Sequence, residues 1–407
     1  MNKHQDILTN HPSTENRWIL IIGVMLIGAT LRVPLTSVGP LIPFIRDDLN
    51  INNMIAGFIT TLPLLAFALF SPFAPKIANK VGMERTIGVS VLVLLIGMTV
   101  RSFTGINYLL IGTLLIGLAI AIGNVLIPAF LKINFPLKIG LMTGLYAVFM
   151  NVFGALGSGL SVPISSIEGI GWTGALFIWA LLVLVAFAIW LPQLKIKRAS
   201  IEVDVESEKR IKLWRSPIAW SVTIFMGGQS LAFYTAITWL PELLSALGYG
   251  ASGAGWLVFL MQFSLIPTTF IVPMFAERMA NQVSIAVGTA VIFMLSFLLL
   301  FINVKALAPI PVLLLGVASG SGFSLSMMFF SLRTRTGIES AELSGMAQSF
   351  GYLLAALGPV LVGLLYDIGN TRTYPLLFLI CISIVIGIAG FFAGKEGKVT
   401  TNEAMEH

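Results

Sequence analysis

Long apolar segments recur along nearly the whole chain, and each is long enough to cross a lipid bilayer as a helix. A membrane-spanning helix needs about 20 mostly apolar residues, because the hydrocarbon offers no water to unpaired backbone groups. We predict twelve such helices, at 17–43, 51–75, 85–104, 107–131, 138–163, 171–191, 216–246, 253–276, 282–303, 307–331, 341–366 and 373–394. The composition agrees, since only 10% of the residues are charged, whereas soluble domains average about 25%. The sequence therefore predicts an all-α integral membrane protein.

Lysine and arginine are distributed unevenly between the two sides of the predicted membrane. If the N-terminus lies in the cytoplasm, 19 of the 24 lysine and arginine residues fall on the cytoplasmic side, 4 fall on the outer side, and Arg32 lies inside the first predicted helix. An excess of positive charge marks the cytoplasmic side of membrane proteins. We therefore expect a multi-pass protein of a bacterial inner (plasma) membrane, with both termini in the cytoplasm. The net charge of +6 then reflects topology and not a surface for nucleic acid.

One long polar segment, at 195–215, separates six predicted helices from six others. The two sets resemble each other at an offset of about 201 residues, since TGLYAVFMNVFGALGSGL at 143–160 aligns with SGMAQSFGYLLAALGPVL at 344–361. We predict a cytoplasmic tail, an N-terminal half, a cytoplasmic linker, a C-terminal half and a second cytoplasmic tail, at 1–16, 17–191, 192–215, 216–394 and 395–407. Two pseudo-symmetric six-helix halves predict a major facilitator fold, in which the substrate binds between the halves near the membrane midplane.

Arg32 is the charged residue that the sequence places deep inside a predicted membrane helix. A charge there costs at least ~2.5–3.5 kcal/mol, and no aspartate or glutamate lies near the predicted midplane to offset it. The acids nearest a span, Glu242 and Asp367, lie at outer ends. A transported anion or an electron-rich polar solute is therefore expected to supply the counter-charge. The rigid fork of five donors on arginine suits a small planar acceptor.

Polar side chains near the predicted midplane are expected to line a cavity around Arg32. The candidates are Thr36, Asn124, Tyr146, Gln229, Tyr234, Gln262, Gln348 and Tyr352. Serine and threonine in such helices often bond to their own backbone instead, so Ser37, Ser230 and Ser321 carry less weight, and Asn151 is a further polar neighbour. The repeat makes Phe233 the equivalent of Arg32, so the second half offers aromatic and amide contacts, whereas the first half offers the charge.

The sequence lacks the residues of a catalytic or metal centre inside the membrane. All three histidines, His4, His11 and His407, lie in the tails, and Cys381 is the single cysteine. We therefore expect neither a cofactor nor a metal, and we predict that the protein is not an enzyme. Glu242 is the nearest candidate for proton coupling, although an interfacial carboxylate in water is the simpler interpretation.

Three stretches together resemble one transporter family. LRVPLTSVGPLIPFIRDDL, IGNVLIPAFLKINFP and LSGMAQSFGYLLAALGPVLVGLLYD are similar to segments of the cyanate permease and 2-nitroimidazole transporter (CynX/NimT-type) family of the major facilitator superfamily. The resemblance extends over nearly the whole chain, from about Arg17 to Phe392. It implies small, flat, polar solutes, with some family members taking up anions and others exporting nitroaromatic compounds.

The superfamily's cytoplasmic motif between its second and third helices is altered in this chain. In this chain the corresponding stretch is PKIANKVGMERT. It has Pro75 where the motif has a glycine and Asn79 where the motif has an aspartate. The resemblance implies that Lys80, Gly82 and Arg85 retain part of its role in gating, whereas a latch that depends on the aspartate charge is in doubt.

Two transport functions remain open from the sequence. In the first, a single-chain secondary or facilitative transporter moves a cyanate-like or nitroimidazole-like solute by alternating access, with Arg32 as its main polar anchor and a coupling proton left open. In the second, a multidrug or nitroaromatic exporter uses Arg32 structurally. A membrane enzyme or sensor is disfavoured, since neither a catalytic set nor a sizeable soluble domain is present. The expected partners are the small solute and the lipid bilayer, and we expect a monomer.

Overall fold

The computed structural model describes residues 14–51, 53–194, 213–369 and 371–399, and these residues form helices without any β-strand. The helices in chain order are α1 (Thr14–Thr36), α2 (Ile42–Leu49), α3 (Asn53–Phe70), α4 (Phe73–Val81), α5 (Met83–Arg101), α6 (Ile106–Asn134), α7 (Ile139–Ser165), α8 (Gly171–Leu194), α9 (Pro217–Ala246), α10 (Ala251–Arg278), α11 (Val283–Ile302), α12 (Pro309–Leu332), α13 (Gly337–Gly369) and α14 (Thr373–Gly394). The all-α membrane fold is therefore confirmed.

The number of membrane spans comes close to the predicted twelve without reaching it. In the described part of the chain, ten helical segments are long and apolar enough to cross a membrane, and a bent pair formed by α3 and α4 gives an eleventh. The predicted span at 216–246 forms α9, whose 30 residues are sufficient in length. Polar residues such as Gln229 and Tyr234 lower the mean hydropathy of α9, so length and composition alone do not identify it as a span.

The first predicted helix, 17–43, is interrupted in the structure. The helix α1 ends at Thr36, a short 3-10 turn follows at Gly39–Leu41, and α2 begins at Ile42. Pro40 and Pro43 stand in the first positions of the turn and of α2. Because proline lacks a backbone N–H, it begins a new helical segment more readily than it continues the preceding one. The segment Trp18–Leu49 still forms one span.

The second predicted helix, 51–75, is also broken. The helices α3 and α4 meet at an angle of 57°, and Pro72 is the N-terminal cap of α4. The predicted cytoplasmic motif lies on this bent unit, with Asn79 and Lys80 on α4. Gly82 connects α4 to α5 with a φ of +98°, a backbone conformation that favours glycine.

The helices before the linker pack mainly on one another, and so do those after it. The helix α1 packs on α7 and α8, α5 packs on α6 and α8, α9 packs on α13 and α14, and α10 packs on α12. The two groups meet along α7 with α10 and along α3 with α13. Of the predicted linker and tails, residues 195–212, 1–13 and 400–407 lie outside the described residues, so the predicted division into halves stays a prediction.

The internal repeat is visible in how equivalent glycines pack. A Cβ atom placed on Gly144 of α7 would lie 2.9 Å from the carbonyl oxygen of Phe270 on α10, and one on Gly345 of α13 would lie 3.0 Å from the carbonyl oxygen of Ser71, beside α3. The two glycines are equivalent in the sequence repeat and both allow close backbone approach between the halves. The interface therefore follows the same pseudo-symmetry as the sequence.

Candidate functional site

Arg32 lies between the two halves and contacts an aromatic ring of the opposite half. Its guanidinium carbon is 5.2 Å from the centre of the Phe233 ring on α9, within the range of a cation–π interaction. Gly154 of α7 leaves the room for this side chain, because a Cβ atom there would lie 2.6 Å from Cγ of Arg32. Among the described residues, no carboxylate forms an ion pair with Arg32.

Three tyrosines surround this arginine, and they come from both halves. The charge of Arg32 acts electrostatically on the phenolic groups of Tyr146 on α7, Tyr234 on α9 and Tyr352 on α13. The rings of Tyr234 and Tyr352 are 6.5 Å apart, and Tyr234 lies 5.3 Å from Phe233. The cluster combines one cation with hydroxyl groups and flat aromatic faces, which are suited to a small planar solute.

Buried hydrogen bonds connect Tyr146 and Gln348 through Asn124. The hydroxyl of Tyr146 donates to Oδ1 of Asn124 over 3.3 Å. Gln348 donates from Nε2 to the carbonyl oxygen of Asn124 over 3.0 Å and to the hydroxyl of Ser344 over 2.8 Å. Gln348 is fully buried, and its Oε1 accepts no hydrogen bond from the described residues. This amide therefore bridges α13 and α6, and its Oε1 is buried without a partner among the described residues.

For three other predicted lining residues, the structure records no hydrogen bond to the tyrosines or amides of this cluster. The hydroxyl of Thr36 donates to the carbonyl oxygen of Gly154 over 2.7 Å, which ties α1 to α7. Gln229 is buried and donates to Met226 and Ser230 of its own helix. Gln262 lies half-buried on α10, and the structure records no hydrogen bond for it.

The remaining minor candidates largely bond to their own helices. Ser321 donates to the carbonyl oxygen of Val317, and Asn151 donates to that of Ala147, each over 2.8 Å. Such bonds satisfy polar side chains locally. The structure thus brings together Arg32 with the three tyrosines and the amide pair, while the binding role of every predicted residue stays a prediction.

The predicted coupling residue and the motif residues are not part of this cluster. The side chain of Glu242 lies outside the described part of the chain, so its role stays a prediction. Asn79, Lys80 and Arg85 are exposed. Gly82 accepts a 2.7 Å hydrogen bond from the hydroxyl of Thr86, which fixes the start of α5.

A lysine that the sequence analysis did not select joins the halves at the predicted cytoplasmic end. Lys132 at the end of α6 donates to the carbonyl oxygens of Ser331 and Thr334 over 2.8 and 2.6 Å and to the hydroxyl of Thr334 over 2.7 Å. Ser331 lies in the last turn of α12 and Thr334 follows two residues after its end, a position where the helix dipole favours a cation. The sequence carried no specific signal for this contact, because whether a lysine beside a predicted cytoplasmic loop reaches the other half depends on how that loop packs.

No metal centre accompanies the cluster in the described ranges. No group of three or more histidine, cysteine, aspartate or glutamate side chains stands close enough to hold a metal ion there. Cys381 is exposed on α14. The described residues of the cluster offer hydrogen bonds, one positive charge and aromatic faces.

The amino-acid sequence of this chain is similar to a known protein family and to individual transporters. Residues 20–339 match the sequence family described as Major Facilitator Superfamily. The chain is 43% identical over 390 residues to the transporter YycB of Bacillus subtilis (strain 168), with 95% of this chain and 96% of that protein covered. It is 38% identical over 391 residues to the 2-nitroimidazole transporter of Escherichia coli (strain K12), with 95% and 98% covered.

Two further similarities are more distant. The cyanate transport protein CynX of Escherichia coli (strain K12) is 24% identical over 354 residues, with 86% of this chain and 91% of that protein covered. The structure of the proton:xylose symporter XylE aligns with a TM-score of 0.77 at 12% identity, covering 96% of this chain and 99% of that one. At that identity the structural likeness supports the fold alone.

Proposed function

Because this chain belongs to the major facilitator superfamily and is a transporter of the CynX/NimT type, we propose that it moves a small planar polar or anionic solute, cyanate-like or nitroimidazole-like, with Arg32 as the main polar anchor. The solute binds between the halves, and the halves rock around it in alternating access. We place the protein in the cell membrane as a monomer, with both termini in the cytoplasm.

The contact between Arg32 and Phe233 carries this proposal. The guanidinium carbon lies over the aromatic ring, 5.2 Å from its centre, and the N–H donors of a guanidinium point outward in the plane of the group. A solute with two acceptor atoms in one plane, such as a carboxylate or a nitro group, can receive two of these donors at once. The absence of a pairing carboxylate among the described residues leaves that role to the solute.

The aromatic and amide groups around Arg32 define the size and shape of the solute. The rings of Phe233, Tyr234 and Tyr352 form consecutive edge contacts 5.3 and 6.5 Å apart, which favours a flat molecule over a bulky one.

Energetics constrain the direction of transport for a charged solute. Moving one anion into a negative-inside cell costs about 2.3 kcal/mol per 100 mV. Uptake of an anion therefore needs exchange, consumption inside the cell or a coupled proton. A neutral solute such as a nitroimidazole carries no such cost, and its export requires a coupling ion only against its concentration gradient.

The hydrogen bonds that cross between the halves support an outward-facing state for this conformation. Those of Lys132 and Gly140 lie beside the loop that we place in the cytoplasm, and those of Gln348 and Ser349 lie further from that loop toward the centre. In alternating access, closing one end while the other opens exposes the central site to one side only. The conformation is therefore assigned to capture of solute from the outside or its release there.

Export of nitroaromatic compounds is the alternative function, and one observation favours it. The relative with 38% identity over almost the full chain is a 2-nitroimidazole transporter, and the aromatic faces beside Arg32 suit a neutral ring. In that case Arg32 would anchor the two halves through Phe233 without supplying a counter-charge.

Transport by purified protein in liposomes distinguishes the two functions. We expect saturable counterflow of a labelled planar anion, for example a benzoate, and inhibition of that flux by cyanate. Saturable flux of 2-nitroimidazole with no competition by any anion would favour the exporter. The Arg46→Gln variant is a matched control, because Arg46 is an exposed arginine on α2 that pairs with Asp47.

A further inference from the structure

A second arginine, Arg101, is buried inside the first half at the predicted outer end of the molecule. Its exposed fraction is 1%, and it lies at the last position of α5. Nη1 donates to the carbonyl oxygen of Pro34 on α1 over 2.6 Å. Its Nε and Nη2 atoms have no acceptor among the described protein atoms. A buried guanidinium with one neutral partner is costly unless further groups compensate it.

Two buried hydroxyl groups in the adjoining segments also lack partners. The Oγ of Ser37 and the Oγ1 of Thr113 form no hydrogen bond with described residues, and both residues are buried. Ser37 follows Pro34 by three residues on the same chain segment. Thr113 follows Gly112, whose backbone packs so closely on α5 that a Cβ atom there would lie 2.6 Å from Cβ of Arg101. Unpartnered polar groups are therefore found on three segments that adjoin one another, α5 through Arg101, the end of α1 through Ser37 and α6 through Thr113.

No carboxylate of this region serves as the counter-charge of Arg101. Asp47 is exposed and pairs with Arg46. Asp48 accepts a 2.9 Å hydrogen bond from Nε1 of Trp172. Glu168 is exposed in the turn before α8. The local charge of Arg101 thus has no protein partner within the described residues.

We propose that Arg101, with Ser37 and Thr113, binds a small inorganic monoanion of halide size inside the first half. The guanidinium offers N–H donors and a positive charge, and the two hydroxyl groups can each donate a hydrogen bond as well, so the positive charge selects an anion over a cation. Water supplies acceptor oxygens but leaves the charge uncompensated. Close packing at Gly112 and the complete burial of Leu109 exclude larger organic anions. The ion joins α5 and α6 to the end of α1, and this role does not depend on which solute the central cavity carries.

Thermal unfolding in different salts tests this site. The wild-type protein in detergent is compared in chloride, bromide and gluconate at equal ionic strength. A halide that binds the folded state raises its stability by mass action, so we expect Tm to rise by about 2 °C or more in halide, in a concentration-dependent way. Equal Tm values in all three salts would contradict the proposal.

Two variants test whether the dependence of Tm on halide arises at Arg101. We expect Arg101→Met to lose the halide dependence and Arg32→Ala to keep it, because Arg32 lies in the other cavity. Loss of the effect in Arg32→Ala with retention in Arg101→Met would overturn the assignment. Should Arg101→Met fail to fold, anomalous diffraction from wild-type crystals grown in bromide decides the matter: a bromide peak beside the Arg101 guanidinium supports the site, and ordered bromide elsewhere with none there refutes it.

Discussion

The guanidinium of Arg32 lies 5.2 Å from the centre of the Phe233 ring, and these two residues occupy equivalent positions in the internal repeat. Each half thus contributes a different chemistry at the same place in its first helix, a charge on α1 and an aromatic face on α9. The two halves have similar helices but different side chains at this position. One half can therefore bind the polar edge of a solute, and the other can contact its flat face.

Arg32→Lys is expected to fold normally and to lose most binding of the solute. Lysine retains the charge, but its ammonium is a point donor that cannot engage two planar acceptors at once. We expect affinity to fall about tenfold or more, equivalent to about 1.4 kcal/mol, measured by isothermal titration with the solute found in liposomes. Wild-type affinity in this variant would refute bidentate recognition.

Phe233→Leu removes the aromatic partner of Arg32 and preserves apolar volume. A cation–π contact contributes about 0.5–2 kcal/mol, so we expect binding to weaken several-fold, while Phe233→Tyr keeps most of it. Phe275→Leu is the control, since Phe275 is a largely exposed residue of α10. Equal losses in Phe233→Leu and Phe275→Leu would point to a general effect on helix packing.

Gly154→Ala tests whether space beside Arg32 sets the position of the guanidinium. The added Cβ atom would lie 2.6 Å from Cγ of Arg32, which forces that side chain away from Phe233. We expect solute flux to fall at least tenfold (about 1.4 kcal/mol). The matched variant is Gly159→Ala on the same helix, where a Cβ atom meets nothing within 4 Å. Transport by the two variants at the same rate would show that the position of Arg32 does not depend on this space.

Lys132→Met is expected to open the end of the molecule that Lys132 now holds closed. Hydrogen bonds to a charged donor contribute about 1.5–3 kcal/mol, so the equilibrium should shift at least tenfold toward the opposite conformation. Spin labels at the exposed positions Leu137 and Arg335, in a Cys381→Ser background, would report a longer distance in this variant. Lys138→Met, an exposed neighbour, should leave the distance distribution unchanged. A distribution in Lys132→Met identical to that of the control would rule out the latch.

Lys132 and Arg333 occupy equivalent positions in the repeat, yet only one of them bonds to the opposite half, so the repeat alone does not predict this contact. Arg333 is the equivalent of Lys132, yet it donates within its own half, to the carbonyl oxygens of Ala393 and Gly394 and to the amide of Gln282. Burial lowers the pKa of Arg333 to about 10, with Glu396 opposing this shift, so it remains charged at neutral pH. Only Lys132 crosses to the other half, because the direction of a long side chain is decided by packing.

Most of the fold could be predicted from sequence, because long apolar segments can cross a bilayer only as helices. The breaks after Thr36 and Phe70 could not, since membrane helices also accommodate proline without breaking. The environment of Arg32 was partly predictable from the missing carboxylates and the repeat. The hydrogen bonds of Thr36 and Gln229 depend on side-chain rotamers and on the close approach of helices, which sequence patterns do not reveal. The burial of Arg101 depends on the direction that its side chain takes from the end of α5, which sequence patterns do not reveal either.

Thermal stabilisation of wild type and Arg32→Ala by the same ligands tests the central claim most directly. Ligands that bind the folded protein raise Tm, and a panel of cyanate, benzoate and 2-nitroimidazole at constant halide concentration separates anions from neutral rings. We predict that a planar anion stabilises wild type and the Arg46→Gln control but not Arg32→Ala. Equal stabilisation of wild type and Arg32→Ala by 2-nitroimidazole, with no response to any anion, would contradict the role of Arg32 as the counter-charge of the solute.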